Sequence, residues 1–253
     1  MISKNRIKFI KSLQNKKKRH EEQLFVVEGE KLVIEALKWA PNQIIQIFHT
    51  PEFELPINET NIEFMEVKAD SLSEISTLTT PNKALALLSF PKNSTLNNSL
   101  HFVIDGVQDP GNLGTIIRLA DWFGMKQLVC SNETVDCYNP KVLQATMGSI
   151  FRVDVHYTNL ETYLSSSNQP TYGAFMEGEN IFGTNINENG IIILGNEGNG
   201  ISESLKKYIH HPITIPKFGN AESLNVAMAG SIILSSFFQQ KHSHNSSHQS
   251  QQK

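Results

Sequence analysis

The residue types best suited to chemistry lie in three short, glycine-bearing segments after residue 100. The first, DPGNLGTIIRLADWFG, covers residues 109–124. Read as a helix, it places Gly111, Gly114, Thr115 and Arg118 at i, i+3, i+4 and i+7. One face is then small and open and ends in a guanidinium, able to admit a phosphate or a ribose. If Asn112 caps this helix, free backbone N–H groups at its start would also hold an anion. The same residues fit an ordinary glycine-containing βα turn with a surface arginine, so the segment alone decides nothing.

The second segment, LGNEGNGIS, covers residues 194–202. Gly195, Gly198 and Gly200 let backbone approach a ligand closely and permit positive φ, and Glu197 stands among them as a possible hydroxyl acceptor. The spacing is not G-x-G-x-x-G, which argues against a nicotinamide site and leaves a plain turn open. The third, ITIPKFGNAESLNVAMAGSIIL, covers residues 213–234. Pro216 ends a strand, Phe218 to Glu222 forms a loop, and Ser223 and Asn225 stand at the entrance of an apolar helix. Capping alone would explain Ser223. Asn225, with both a donor and an acceptor, could orient a side chain or a ligand.

The surrounding pattern must position these segments. From His101, apolar strands (FVID, QLVC, RVDVH) alternate with helical stretches (LGTIIRLADWF, PKVLQATMGSIF), which predicts a mostly parallel sheet covered by helices. Pro140 suits a first helical turn with Asn139 as its cap. IIILG at Ile191 to Gly195 reads as a buried central strand, and a last helix runs from Ser223 to Phe238. Upstream, strands are expected at Leu24 to Glu28, Gln43 to Phe48, Ile62 to Val67 and Ala84 to Phe90. A helix from Glu30 to Ala40 buries Leu32, Val33, Ala36 and Leu37. The polar stretch PKNSTLNNS reads as a linker. The layout is a basic arm (1–20), a small domain (21–90), a linker (91–100), a larger α/β domain (101–240) and a Gln, His and Ser-rich tail (241–253) expected to be disordered.

At 253 residues the chain has room for two domains, and 39% hydrophobic with 19% charged residues is ordinary for a soluble globular protein. No apolar run approaches the roughly 18 residues of a membrane helix, and no secretory core opens the chain, which places it in the cytoplasm. Cys130 and Cys137 make neither a disulfide framework nor a metal site at ligand spacing. The net charge of −3 conceals an asymmetry: Lys4, Arg6, Lys8, Lys11, Lys16, Lys17, Lys18 and Arg19 precede all 25 acidic residues. Such an arm neutralises phosphates and points to a nucleic-acid partner, although a solvated tail would look the same.

In this order, D-P-x-N-x-G-x-x-x-R, G-N-E-G-x-G and I-P-x-x-G-x-x-E-S-L-N-V resemble the three motifs of the SpoU (TrmH-like) branch of the SPOUT RNA methyltransferases, over residues 101–240. The N-terminal part, with its VEGEKLV run, resembles the small substrate-binding domain, related to a ribosomal-protein fold, that many members carry. The resemblance implies a parallel sheet with a deep trefoil knot and a homodimer. It implies methylation of a ribose 2'-hydroxyl in RNA by S-adenosylmethionine, without a metal, and the two-domain layout favours ribosomal over transfer RNA. Backbone around Gly195, Ile215 and Leu224 would hold the cofactor, with Leu194, Asn196, Gly200, Pro216 and Asn225 shaping its pocket. Arg118 corresponds to the catalytic arginine, and Asn112, Glu197, Ser223 and Asn225 to supporting polar residues. A guanidinium stays charged in proteins, so Arg118 is no base; it would bind a phosphate and stabilise charge on the 2'-oxygen. The alternatives are a noncatalytic RNA-binding protein of the same fold and a nucleotide-dependent enzyme of another class.

Overall fold

The computed structural model describes residues 2–54, 62–78, 80, 82–92 and 94–249, with side chains through residue 241. In chain order the first elements are α1 (Lys4–Ser12), α2 (Lys16–Glu22), β1 (Leu24–Glu28), α3 (Glu30–Trp39), β2 (Ile44–His49), β3 (Glu63–Glu66), α4 (Ala69–Ile75) and β4 (Ala84–Ser89). Then come β5 (His101–Ile104), α5 (Pro110–Trp122), β6 (Gln127–Ser131), α6 (Pro140–Thr146), β7 (Asp154–Thr158) and α7 (Leu160–Ser166). The chain closes with β8 (Thr171–Asn180), β9 (Ile191–Leu194), α8 (Glu203–Lys206), β10 (His211–Thr214) and α9 (Val226–Gln249).

Two compact units result. The first comprises residues 1–95 together with Asp136–Arg152; the second comprises 96–135 and 153–253. The division at residues 95 and 96 lies within the stretch 91–100, and neither unit is contiguous in sequence. The 136–152 segment belongs with the N-terminal unit because its apolar residues have their partners there: Leu143 lies in the core with Phe25, Val33, Leu37 and Ala86, and Tyr138, Ile150 and Phe151 pack against it.

In the first unit the sheet order is β1-β4-β2-β3, antiparallel except for β2 and β3. The basic arm is not a solvated tail. It folds as α1, capped by Ser3, and α2, capped by Asn15, and Gln23 ends α2 in the left-handed region. Ile2, Ile10 and Leu13 anchor it as buried side chains. Burial of these three outweighs the mutual repulsion of the surrounding cations, which composition alone could not weigh.

The second unit is a six-stranded, wholly parallel sheet in the order β10-β8-β9-β5-β6-β7. One face packs Val103, Val129, Ile191 and Ile193 against Leu160 and Leu164 of α7 and Leu205 of α8. On the other face α9 comes close at Gly230, where an added Cβ would lie 3.1 Å from Leu194 and 3.4 Å from Phe102. Sheets buried on both faces read as continuous apolar runs, and FVI and IIIL fit that rule. The last helix begins at Val226, not Ser223, and continues to Gln249, so most of the tail expected to be disordered carries helical backbone. No glycine or proline interrupts 231–249, and extending an anchored helix costs little. Residues 250–253 of that tail lie outside the described residues.

Candidate active site at the carboxyl ends of the parallel strands

Because β5 and β9 are parallel neighbours with Ile104 opposite Leu194, their chains leave the sheet side by side. In open α/β sheets ligands bind outside these carboxyl ends. The loops 105–109, 195–202 and 215–225 emerge there, and all three sequence motifs sit on them or on the helices they feed.

Glu197 is the hub. Its Oε1 accepts from Asn112 Nδ2 at 3.0 Å and from the Asp109 N–H at 3.2 Å, and its Oε2 accepts from the Gln108 N–H at 3.3 Å. Asn112 in turn accepts from Asn225 Nδ2 at 2.7 Å. One chain of side-chain hydrogen bonds, Asn225 to Asn112 to Glu197, thus joins all three motifs. Partial burial works to raise the Glu197 pKa, but the hydrogen bonds from Asn112, its own backbone and the N–H groups of Gln108 and Asp109 outweigh it. The carboxyl titrates below the ordinary glutamate range and is an anion at neutral pH. Expected as a hydroxyl acceptor, Glu197 instead spends its oxygens on the entry to α5.

The caps differ from expectation. Asp109, not Asn112, caps α5: its Oδ1 accepts from the Asn112 N–H at 2.8 Å, with Pro110 at the first position. That frees the Asn112 amide to bridge Glu197 and Asn225. At the second helix Asn225, not Ser223, is the cap, its Oδ1 accepting from the N–H of Ala227 at 3.0 Å and Met228 at 3.2 Å. Ser223 is exposed and makes no hydrogen bond among the described residues. Along α5, Gly111, Thr115 and Arg118 are exposed whereas Gly114 is buried, so the open face is narrower than the spacing implied. The Arg118 guanidinium has no ion-pair or hydrogen-bond partner among the described residues.

The glycine loop is a closed hairpin-like turn. Asn196 and Gly200 exchange both backbone hydrogen bonds at 2.9 Å. A Cβ on Gly195 would lie 2.2 Å from the Gly200 carbonyl carbon, so only glycine fits, and Gly200 itself has φ +68°. Asn196 Oδ1 accepts from the N–H of Gly198 and Asn199, and its Nδ2 donates to Gly106 O at 2.7 Å. Leu194 is buried beneath, and Ile215 and Pro216 are half-buried. Leu224 is 51% exposed. The backbone N–H and C=O of Ile215 and Leu224 make no hydrogen bond among the described residues.

Three residues here escaped the sequence reading. Asp105, buried at the end of β5, accepts from the Ser202 N–H at 2.7 Å and so ties the glycine loop to the neighbouring strand; an acid closing the apolar run FVID was its signal. Asp109 could have been found as the Asp before a first-turn proline. Gln108 enters through its backbone N–H, for which side-chain identity leaves no mark.

The candidate RNA-binding cations of the first unit divide into three groups. Lys4, Lys8, Lys11 and Lys16 are exposed and form no ion pair among the described residues. Lys17 and Lys18 are shared with Glu21 and Glu22, and Arg6 donates to Gln46 Oε1 at 2.6 Å. Arg19 is a correction: 2% exposed, it donates to Asp136 Oδ2 through Nε and Nη2 and to the carbonyls of Leu13 and Gln14 through Nη1. A guanidinium so engaged holds the arm in place and cannot reach a phosphate. Among the described residues no His, Cys, Asp and Glu group has the arrangement of a metal site, and no helix is long and apolar enough to cross a membrane.

Residues 99–235 match the model of the SpoU rRNA methylase family, and residues 4–86 match the MRM3-like substrate binding domain. A 23S rRNA (guanosine(2553)-2'-O)-methyltransferase, RlmP of Bacillus subtilis, is 34% identical over 90% of this chain and 94% of its own. A putative RNA methyltransferase of the TrmH family from Porphyromonas gingivalis is 37% identical with a TM-score of 0.85, covering 94% of this chain and 98% of that one. An AdoMet-bound rRNA methyltransferase from Sinorhizobium meliloti is 26% identical with a TM-score of 0.82 over 95% and 97%. The family model spans more than half of the 253 residues and carries all three motifs joined by the Asn225–Asn112–Glu197 chain, so this protein belongs to the SpoU rRNA methylase family.

Proposed function

We propose that this protein transfers a methyl group from S-adenosylmethionine to a ribose 2'-hydroxyl of ribosomal RNA, with 23S RNA and a guanosine acceptor the first substrate to try. The reading includes a homodimer in the cytoplasm and a trefoil-knotted course for the C-terminal loops. The observation that carries it is the hydrogen-bonded chain from Asn225 through Asn112 to Glu197, which gathers the three motifs on and around the helix of Arg118, an exposed residue without a partner among the described residues.

The cofactor fits the residues present. A planar purine needs backbone donors and acceptors and an apolar face; the unused N–H and C=O groups of Ile215 and Leu224 supply the first, and the half-exposed side chains of Ile215, Pro216 and Leu224 the second. Gly195, Asn196 and Gly200 shape the loop beneath, with no side chain to fill it at either glycine. When bound, S-adenosylmethionine supplies an electrophilic methyl on a sulfonium. Arg118 binds the phosphate beside the acceptor ribose and stabilises the charge that develops on the 2'-oxygen, while the proton leaves through phosphate or water. Asn112, Glu197 and Asn225 hold α5, and therefore Arg118, in register with the cofactor loop, so that much of the acceleration comes from positioning.

The test is transfer of labelled methyl from S-adenosylmethionine to total RNA from a strain lacking the gene. Label in a 2'-O-methylated nucleotide with the native protein, and none with Arg118→Ala, is expected. Full turnover by Arg118→Lys, which lacks the planar fork, would overturn the role given to the arginine, and tight cofactor binding without any transfer would overturn the reaction.

A further inference from the structure

Phe218 is 97% exposed, the largest exposure of any described large apolar side chain. A single exposed apolar residue is ordinary; its location gives this one meaning. It stands two residues after Pro216 and five before Ser223, on the loop that carries the chain from β10 to α9 past the carboxyl ends of the sheet. Its neighbours Lys217, Gly219 and Asn220 are all exposed, Lys217 has no ion-pair partner among the described residues, and a Cβ on Gly219 would meet nothing within 4 Å. The loop therefore presents one aromatic face, one cation and one amide to open space beside the cofactor-binding backbone.

We propose that Phe218 is the stacking platform for the base of the acceptor nucleotide, with Lys217 on an adjoining phosphate. This rests on the reading of the protein as an RNA methyltransferase. A nucleotide splayed out of stacked RNA can bring its 2'-hydroxyl to the sheet's carboxyl end, and single-stranded RNA is held by aromatic side chains on which unstacked bases lie. The polar, glycine-containing flanks suit a nucleotide better than the apolar seam of a second protein chain, whose core would be depleted of charge. Phe218 thereby becomes a binding and specificity residue, acting on the RNA and not on the methyl donor.

The experiment compares native protein, Phe218→Ala, Phe218→Leu and Phe218→Trp in steady-state methylation of an RNA substrate, alongside calorimetric binding of S-adenosylmethionine and sedimentation. Phe218→Ala should raise the KM for RNA about ten- to a hundredfold, the range for losing one stacked base, with kcat and cofactor affinity little changed. Phe218→Trp should restore it and Phe218→Leu should not. An unchanged KM, rescue by leucine equal to that by tryptophan, or dissociation of an oligomer in Phe218→Ala would each overturn the inference; the last would assign the side chain to a second copy. Native protein that transfers no methyl at all would remove the underlying reading and the inference with it, whereas active native protein indifferent to Phe218→Ala removes the inference alone.

Discussion

Glu197→Gln tests the architecture of the site most directly, because it removes a charge while keeping the shape. The native carboxylate receives four donors from other residues: the side-chain amides of Asn112 and Asn196 and the N–H groups of Gln108 and Asp109. A glutamine offers one acceptor oxygen and turns an NH2 toward donors that need acceptors. Hydrogen bonds to charged groups contribute about 1.5–3 kcal/mol each, but Glu197 is exposed and water can replace part of what is lost, so about 1–2 kcal/mol is expected in total. That corresponds to roughly 5- to 30-fold weaker S-adenosylmethionine binding by calorimetry, if the loop must be ordered to bind. Hydrogen exchange should show the amides of Gln108 and Asp109 losing protection while strand amides of β5 and β9 keep theirs. Since the folded-state pKa of Glu197 is lowered, its contribution is complete above the ordinary glutamate range and is lost only as pH falls through the lowered value. The difference between native and Glu197→Gln protein should thus stay constant between about pH 6 and 8. Unchanged exchange at Gln108 and Asp109 together with unchanged cofactor affinity would refute the assignment of Glu197 as the hub.

Gly195→Ala forces a Cβ into the Gly200 carbonyl and should cost about 1–3 kcal/mol, read as a Tm lowered by several degrees and lost cofactor binding; native-like melting would contradict the close approach. Arg19→Ala strands a buried carboxylate at Asp136 and should destabilise the first unit by about 3–5 kcal/mol in urea titration, with an unshifted midpoint counting against it. Replacing Lys4, Lys8, Lys11 and Lys16 together with alanine should reduce the slope of log affinity for RNA against log salt by about three. Lys17→Ala with Lys18→Ala should reduce it less, since Glu21 and Glu22 already share those charges. Burial raises the pKa of the Cys130 thiol, so alkylation at pH 8 should leave it unmodified until the protein is denatured; rapid labelling of native protein would place the residue nearer the surface.

The parallel sheet was legible because strands buried on both faces write themselves as unbroken apolar runs, and the motifs were legible because glycine, proline and amides have few reasons to coincide. What could not be read was which amide capped which helix. Asn112 and Ser223 each satisfied the local rule for a cap, yet Asp109 and Asn225 took those roles once Glu197, 85 positions distant, claimed Asn112. Arg19 misled for a similar reason. Within a run of four cations its neighbours are solvated, and only Asp136, 117 positions away, turns it inward. The helical arm and the continuation of α9 to Gln249 were missed because composition records polarity but not the few anchors, Ile10 and Leu13 among them, that hold a polar helix down.

The non-contiguous first unit bears on how the protein can be made. Its core is completed by Leu143, and its N-terminal helices are secured by Asp136, residues translated some fifty positions after the unit's own sheet is finished at Ser89. During synthesis that sheet must wait, with part of its apolar surface uncovered, until β5, α5 and β6 have also emerged. A fragment cut at the linker would therefore be sticky and poorly held, and exchanging the substrate-binding unit between relatives would require grafting two pieces of sequence, the second lifted from the middle of the enzyme's other half.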